Sequence, residues 1–204
     1  MTPSALRSAA AVAVAGCIAA VLADMISWFL ANGYNPVAQT ISDLAVGPSS
    51  WLMDLGLWCF SVAAIALTLA LWPVAARARY GWLSMLCLVL LAVDVAVIAQ
   101  VNEYAGEGNP GADIHQWGVY ALGVLFPGAA LAAIPALRDV SGKLERFSLA
   151  MAVAWIILGP FYMFVPSDSW NGAAERVLAL IMLAWVSRTA RHLRRRAGPL
   201  TAVG

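Results

Sequence analysis

The sequence predicts an all-α, polytopic membrane protein: one integral membrane domain, built as a six-transmembrane-helix bundle with both termini cytoplasmic. Three observations predict it. The 204 residues are 62% hydrophobic and only 11% charged, with a mean hydropathy of +0.80, where a soluble domain carries charge on roughly a quarter of its residues. The apolar residues gather into six runs, each long enough at roughly 20 residues to cross a hydrocarbon core of about 30 Å. Eleven of the twelve Lys and Arg residues then fall at one set of span ends, which the positive-inside rule makes cytoplasmic.

The spans are expected at 9–30, 51–72, 81–101, 114–137, 147–166 and 172–191, all helical because lipid offers no partner to an open backbone. Arg7 precedes the first. Arg77 and Arg79 separate the second from the third, and Arg138, Lys143 and Arg146 the fourth from the fifth. Arg188, Arg191, Arg194, Arg195 and Arg196 close the sixth. This basic tail is expected to fix orientation and can also meet anionic headgroups. The other loops hold Asp43, Glu103, Glu107, Asp113 and Asp168, and no Lys or Arg.

Val14-Ala15-Gly16-Cys17 matches a lipoprotein cleavage box, but the apolar run continues to Leu30. Cleavage would leave an odd number of helices and scramble the charge map, so an uncleaved first span is expected. Within it Ala11, Ala15, Ala19 and Ala23 form a small-residue stripe for close helix approach. Cys17, Cys59 and Cys87 all lie inside apolar spans without metal spacing and read as small packers.

The chemistry gathers on the acidic side. Asp24 lies six residues before the end of its span, about 9 Å deep at ~1.5 Å per residue, and Asp94 lies at similar depth in the third. Asp54 falls in the first turn of the second span, His115 and Gln116 open the fourth, and Glu175 and Arg176 open the sixth. Ionisable groups at such depth are costly and usually face the bundle interior with a partner. Asp24, Asp54, Asp94, His115, Glu175 and Arg176 are therefore the candidate pocket residues. Simpler roles compete: dipole-complementing carboxylates for Asp54 and Glu175, a helix-start hydrogen bonder for His115, a snorkelling side chain for Arg176. Arg176 is the twelfth cation, alone among carboxylates and at a helix N-terminus, where positive charge is unfavourable. It is expected to point inward and pair with Asp24, Asp54 or Asp94.

The loop 31–50 is bounded by the turn signals Asn35-Pro36 and Gly47-Pro48. Val37, Ile41 and Leu44 can share one face of a short surface helix that caps the bundle. The loop 102–113, with Glu103, Glu107 and Asp113, has no recognisable metal-ligand spacing and reads as solvated. Pro127 and Pro160 fall mid-membrane, where each frees a carbonyl; broken transporter helices and packed bundles both contain such prolines. Bis-histidine haem is excluded because His115 and His192 open opposite faces. No metal and no cofactor are expected, and nothing suggests nucleic acid.

Ile41-Ser42-Asp43-Leu44-Ala45-Val46-Gly47-Pro48, His115 and Gly172-Ala173-Ala174-Glu175-Arg176-Val177, together with the six-span layout, resemble the bacterial membrane family called domain of unknown function 998. The resemblance covers nearly the whole chain and implies a bacterial cytoplasmic (inner) membrane protein in which Ser42, Asp43, His115, Glu175 and Arg176 are the positions to watch. It brings no activity with it. The chain lacks the third histidine and the histidine-rich helix motif of zinc-dependent membrane hydrolases of the alkaline ceramidase type.

Three functions fit these residues. The leading one is a non-enzymatic membrane protein with an outward-facing polar pocket for a lipid headgroup or small polar ligand, with a possible transport role. The second is an accessory or scaffold subunit, with another membrane protein as partner. The third is an outer-leaflet lipid hydrolase or transferase, in which Ser42, Asp43 and His115 supply nucleophile, acid and base types. A Ser42–His115 separation far beyond about 3 Å, with no closing motion, would count sharply against it, whereas loose geometry alone would not.

Overall fold

The computed structural model describes residues 1–47, 49–101, 110–165 and 169–197. Among the described residues seven α-helices are formed: α1 Pro3–Leu30, α2 Ser50–Ala75, α3 Gly81–Ile98, α4 Pro110–Ala132, α5 Ile134–Val140, α6 Gly142–Phe164 and α7 Asn171–Arg196, with a 3-10 turn at Ser42–Ala45 between α1 and α2. Glu103, Glu107 and Asp168 fall outside the described residues, and with them the acidic loop read at 102–113 apart from Pro110–Asp113, which opens α4.

Local chemistry sets the helix ends. Thr2 caps α1, its Oγ1 accepting from Ala5 N at 3.3 Å, with Pro3 at the first helical position. Ser141 caps α6 by accepting from Lys143 N. Both devices satisfy donors that an α-helix leaves over at its start. Pro73, Pro127 and Pro160 are absorbed inside helices. Pro135 instead stands at the start of α5, and there the fourth predicted span divides, α4 and α5 meeting at 42°. The expectation of one continuous helix over 114–137 is corrected accordingly: a proline has no N–H to carry the ladder across Ala133.

Among the described residues four helices, α1, α2, α3 and α6, are long and apolar enough to cross a membrane, or five if the bent α4–α5 pair is one span. α7 is as long as α2, but every 18-residue stretch of it takes in at least three of Glu175, Arg176, Arg188, Arg191 and Arg194.

Consecutive helices pack side by side, and α7 closes the ring against α1 and α6, with α2 the most deeply buried helix. The α1–α2 seam is the tightest. A Cβ on Gly16 would stand 2.4 Å from Cys59 O, and one on Gly56 2.7 Å from Ala23 Cβ. The small-residue stripe is thus Ala13, Gly16, Cys17, Ala20, Ala23 and Ser27 rather than Ala11, Ala15 and Ala19, because the seam follows the i, i+3, i+4 rows of the helix and not a strict four-residue step. Side-chain bonds stitch the interior: Ser61 to Ala92 O, Ser84 to Ala129 O, Ser148 to Ala130 O, and Trp185 Nε1 to Ser148 Oγ at 2.7 Å. At the basic end Arg196 donates to the carbonyls of Asp139 and Val140, closing the end of α5.

Candidate functional site

The loop between α1 and α2 organises the acidic end. It is not the expected surface helix. Val37 is 52% exposed while Leu44 is 1% exposed, and only Ser42–Ala45 is helical. Gly33 and Gly47, with φ of 75° and 92°, turn the chain at its two sides. Between them the backbone lies across the start of α7. Gly172 N donates to Ala38 O and Ala173 N to Val37 O at 2.9 Å, so loop carbonyls satisfy the first amides of a helix that has no side-chain cap. Contact is close enough that a Cβ on Gly172 would stand 1.9 Å from Gln39 O. Glu175, one turn on, accepts from Ile41 N at 2.6 Å.

Arg176 completes this junction. It is 9% exposed and grips Asp24 through two bonds, Nε to Oδ2 at 3.1 Å and Nη2 to Oδ1 at 3.0 Å. Nη1 donates to the carbonyls of Pro36, Gln39 and Gly172, and Nη2 also to Tyr34 Oη at 2.5 Å. Trp28 and Tyr34 flank the guanidinium with ring centroids 5.1 and 5.5 Å away, and Trp28 Nε1 donates to Asp24 Oδ1. Tyr34 in turn donates to the loop, its oxygen 2.6 Å from Thr40 O. Burial pushes its phenol up to about 12 against the opposing pull of Arg176, so the hydroxyl keeps its proton at neutral pH. A charge brought so far from water is stable only when paired and hydrogen-bonded throughout.

Beside this clamp the same loop presents Ser42. Thr40 N and Oγ1 both donate to Asp43 Oδ2, at 2.6 and 2.9 Å, and Asp43 N donates back to Thr40 Oγ1. With Leu44 anchored in the core and Ile41 N held by Glu175, Ser42 is fixed on both sides. Its Oγ lies 3.2 Å from His115 Nε2. His115 is 4% exposed, and its Nδ1 lies 2.8 Å from Val101 O. A carbonyl only accepts, so Nδ1 carries the proton and Nε2 offers its lone pair to Ser42 Oγ.

Ser42 and His115 border a chamber of about 580 Å³, walled mainly by apolar side chains of α1, α2, α4, α6 and α7. A smaller space of about 170 Å³ adjoins it, where Ser42, His115 and Glu175 meet Gln116, Tyr162 and Asn171. Val124 and Phe164 on the chamber wall are 72% and 79% exposed, so the wall reaches the outer surface of the bundle at these residues. Deeper in, Trp155 Nε1 is buried with no hydrogen-bond partner among the described residues.

Of the sequence candidates, the structure brings Asp24, Ser42, His115, Glu175 and Arg176 to this wall. Asp54 and Asp94 are not on it, and neither pairs with Arg176. Asp94 turns toward α4, its Oδ1 3.2 Å from the place a Cβ on Gly118 would take. Asp54, in the second turn of α2, follows the wall residue Met53 but does not line the chamber. Asp43 serves the loop through Thr40, whereas Val101 O orients His115. Trp28 and Tyr34 are not among the sequence candidates, although Trp28 stands four residues from Asp24, on the same helix face. Among the described residues no group of acidic, His and Cys side chains could hold a metal ion, and Cys17, Cys59 and Cys87 are free thiols.

A family model described as "Protein of unknown function (DUF998)" matches residues 14–192. No curated protein and no solved structure matches the chain.

Proposed function

The chain belongs to the DUF998 family, and from that premise we propose a six-span integral membrane protein whose chamber takes the hydrocarbon chain of a membrane amphiphile, with its polar head beside Ser42, His115 and Glu175. The observation that carries this reading is the make-up of the cavity: a mainly apolar wall that reaches the surface of the bundle at Val124 and Phe164, adjoined by a polar space. Its volume falls within the roughly 300–1,000 Å³ usual for small-molecule sites. In a bundle of membrane-crossing helices, the ligand at hand for such an apolar chamber is lipid.

The sixth span is α7, with α4 and α5 together forming the fourth. The clamp supports this assignment, since every N–H of Arg176 meets an acceptor and no bare cation is left at membrane depth. With eleven cations at the opposite end, the positive-inside rule places both termini in the cytoplasm and the chamber's polar end at the outer leaflet.

The test is native mass spectrometry of protein released from membranes in mild detergent, with lipids identified after extraction. Wild type is expected to carry about one amphiphile per chain. Gly159→Leu should lose it, because Gly159 lies on the chamber wall and a Cβ there meets nothing nearer than Trp155 Nε1 at 3.7 Å. Wild type free of lipid, or equal occupancy in both proteins, would sink the reading.

A further inference from the structure

We infer that Ser42 and His115 form a nucleophile and general-base pair acting on the carboxylic ester of the bound amphiphile. The inference rests on the lipid-binding reading above and gives that site a reaction. Three features separate the pair from a serine that merely hydrogen-bonds. The tautomer is the productive one: Val101 O holds the proton on Nδ1, so Nε2 faces Ser42 Oγ at 3.2 Å with its lone pair. The nucleophile is held in place, since Ile41 N is bound by Glu175 and the Thr40–Asp43 bonds follow directly. The pair also stands where the apolar chamber meets the polar space, the boundary at which a lipid ester places its carbonyl.

The charges choose the bond. Arg176 is the one Lys or Arg on the acidic side of the sequence, and its guanidinium is engaged by Asp24, Tyr34 and loop carbonyls. Phosphoryl transfer relies on cations to hold and neutralise the transferring group, and Arg176 is already committed to Asp24, Tyr34 and the loop carbonyls. A carbonyl ester needs only N–H or O–H donors for its developing oxyanion, and Gln116, Tyr162 and Asn171 supply that chemistry at the polar end.

The reaction balances in two halves. Ser42 Oγ attacks the ester carbon while its proton passes to His115 Nε2. The tetrahedral adduct collapses by breaking the bond to the alcohol oxygen, which takes the proton from Nε2 and leaves. Water, or the hydroxyl of a second lipid, then attacks the acyl-serine and gives its proton to Nε2. Ser42 Oγ departs and recovers that proton. The products are an acid and an alcohol with water, or a new ester with a lipid alcohol.

The experiment treats the full chain in liposomes with a long-chain alkyl fluorophosphonate and locates the adduct by peptide mass spectrometry. Lipid occupancy of each variant is measured in parallel. We expect the label on Ser42 of lipid-carrying wild type, none in Ser42→Ala, and labelling slowed by about 100-fold or more in His115→Gln. Wild type that carries lipid but takes no label on Ser42 overturns the chemistry and leaves the binding reading standing. Wild type with neither lipid nor label overturns both. Labelling of Ser42 that His115→Gln leaves unchanged removes the base and overturns the pair.

Discussion

Arg176 and Ser42 lie at the same end of the bundle, are held by the same loop, and border the same chamber, yet the two regions use their polar atoms in opposite ways. Around Arg176 the guanidinium bonds are directed inward: to a carboxylate from α1, a phenol and two carbonyls from the loop, and a carbonyl from α7 itself. Ser42 and His115 instead meet at the boundary between an apolar and a polar space. The difference teaches that depth and charge, which made Arg176 conspicuous in the sequence, mark a brace here. The reactive geometry belongs to a less conspicuous hydroxyl that the brace holds still.

Breaking the brace should have the largest effect. Arg176→Met leaves Asp24 buried without its cation, and such a loss typically costs about 3–5 kcal/mol. Urea unfolding in mixed micelles should show it. Adding Asp24→Leu should recover part of that cost, since two apolar side chains replace two buried charges. Recovery stays incomplete because Pro36 O and Gln39 O have also lost their donor. A single variant as stable as wild type would mean that Arg176 is solvated in the membrane-bound protein.

A smaller effect is expected at the junction between loop and helix. Gly172→Ala places a methyl 1.9 Å from Gln39 O, so the loop must lift from α7 and give up the bonds of Val37 O and Ala38 O. Overpacking of this kind costs about 1–3 kcal/mol. Because the lifted loop carries Ser42, fluorophosphonate labelling should fall with it. Unchanged stability and labelling would show that the loop position is not tied to α7.

Much of the fold was legible in the sequence. Hydropathy runs overlap every long helix among the described residues, most plainly in α1, α2, α3 and α6, which keep an unbroken apolar run long enough to cross a membrane. What it missed has local causes. The break at Pro135 and the absorption of Pro127 involve the same residue type, so the residue by itself does not tell the two outcomes apart. The site was half legible. Asp24, His115, Glu175 and Arg176 stand out because charge is rare in such a chain. The two motifs that carried the family resemblance, Ile-Ser-Asp-Leu and Gly-Ala-Ala-Glu-Arg, prove to be two sides of one contact: Glu175 binds Ile41 N, and Gly172 admits Gln39. The carbonyls of Pro36, Gln39 and Val101 could not be foreseen, since a backbone acceptor leaves no mark on composition or periodicity.

Tyr34 offers the finest division between brace and site, because its hydroxyl belongs wholly to the brace. It accepts from Arg176 and donates to the loop, so Tyr34→Phe removes bonds worth about 1 kcal/mol each and leaves Ser42 and His115 untouched. The pH dependence gives a sharper measure. Burial pushes this phenol from its ordinary 10 up to about 12 in the folded protein, so the unfolded chain ionises first. Its contribution to stability is therefore fully present below about pH 10 and is lost as pH rises toward 12. The stability gap between wild type and Tyr34→Phe should be constant from pH 7 to 9.5 and shrink above pH 10 in paired urea titrations. A constant gap across the alkaline range would mean that Tyr34 ionises alike in both states and is not enclosed. A gap that shrinks while Ser42 labelling at neutral pH stays at the wild-type rate would show that loosening this edge of the brace leaves the nucleophile in place.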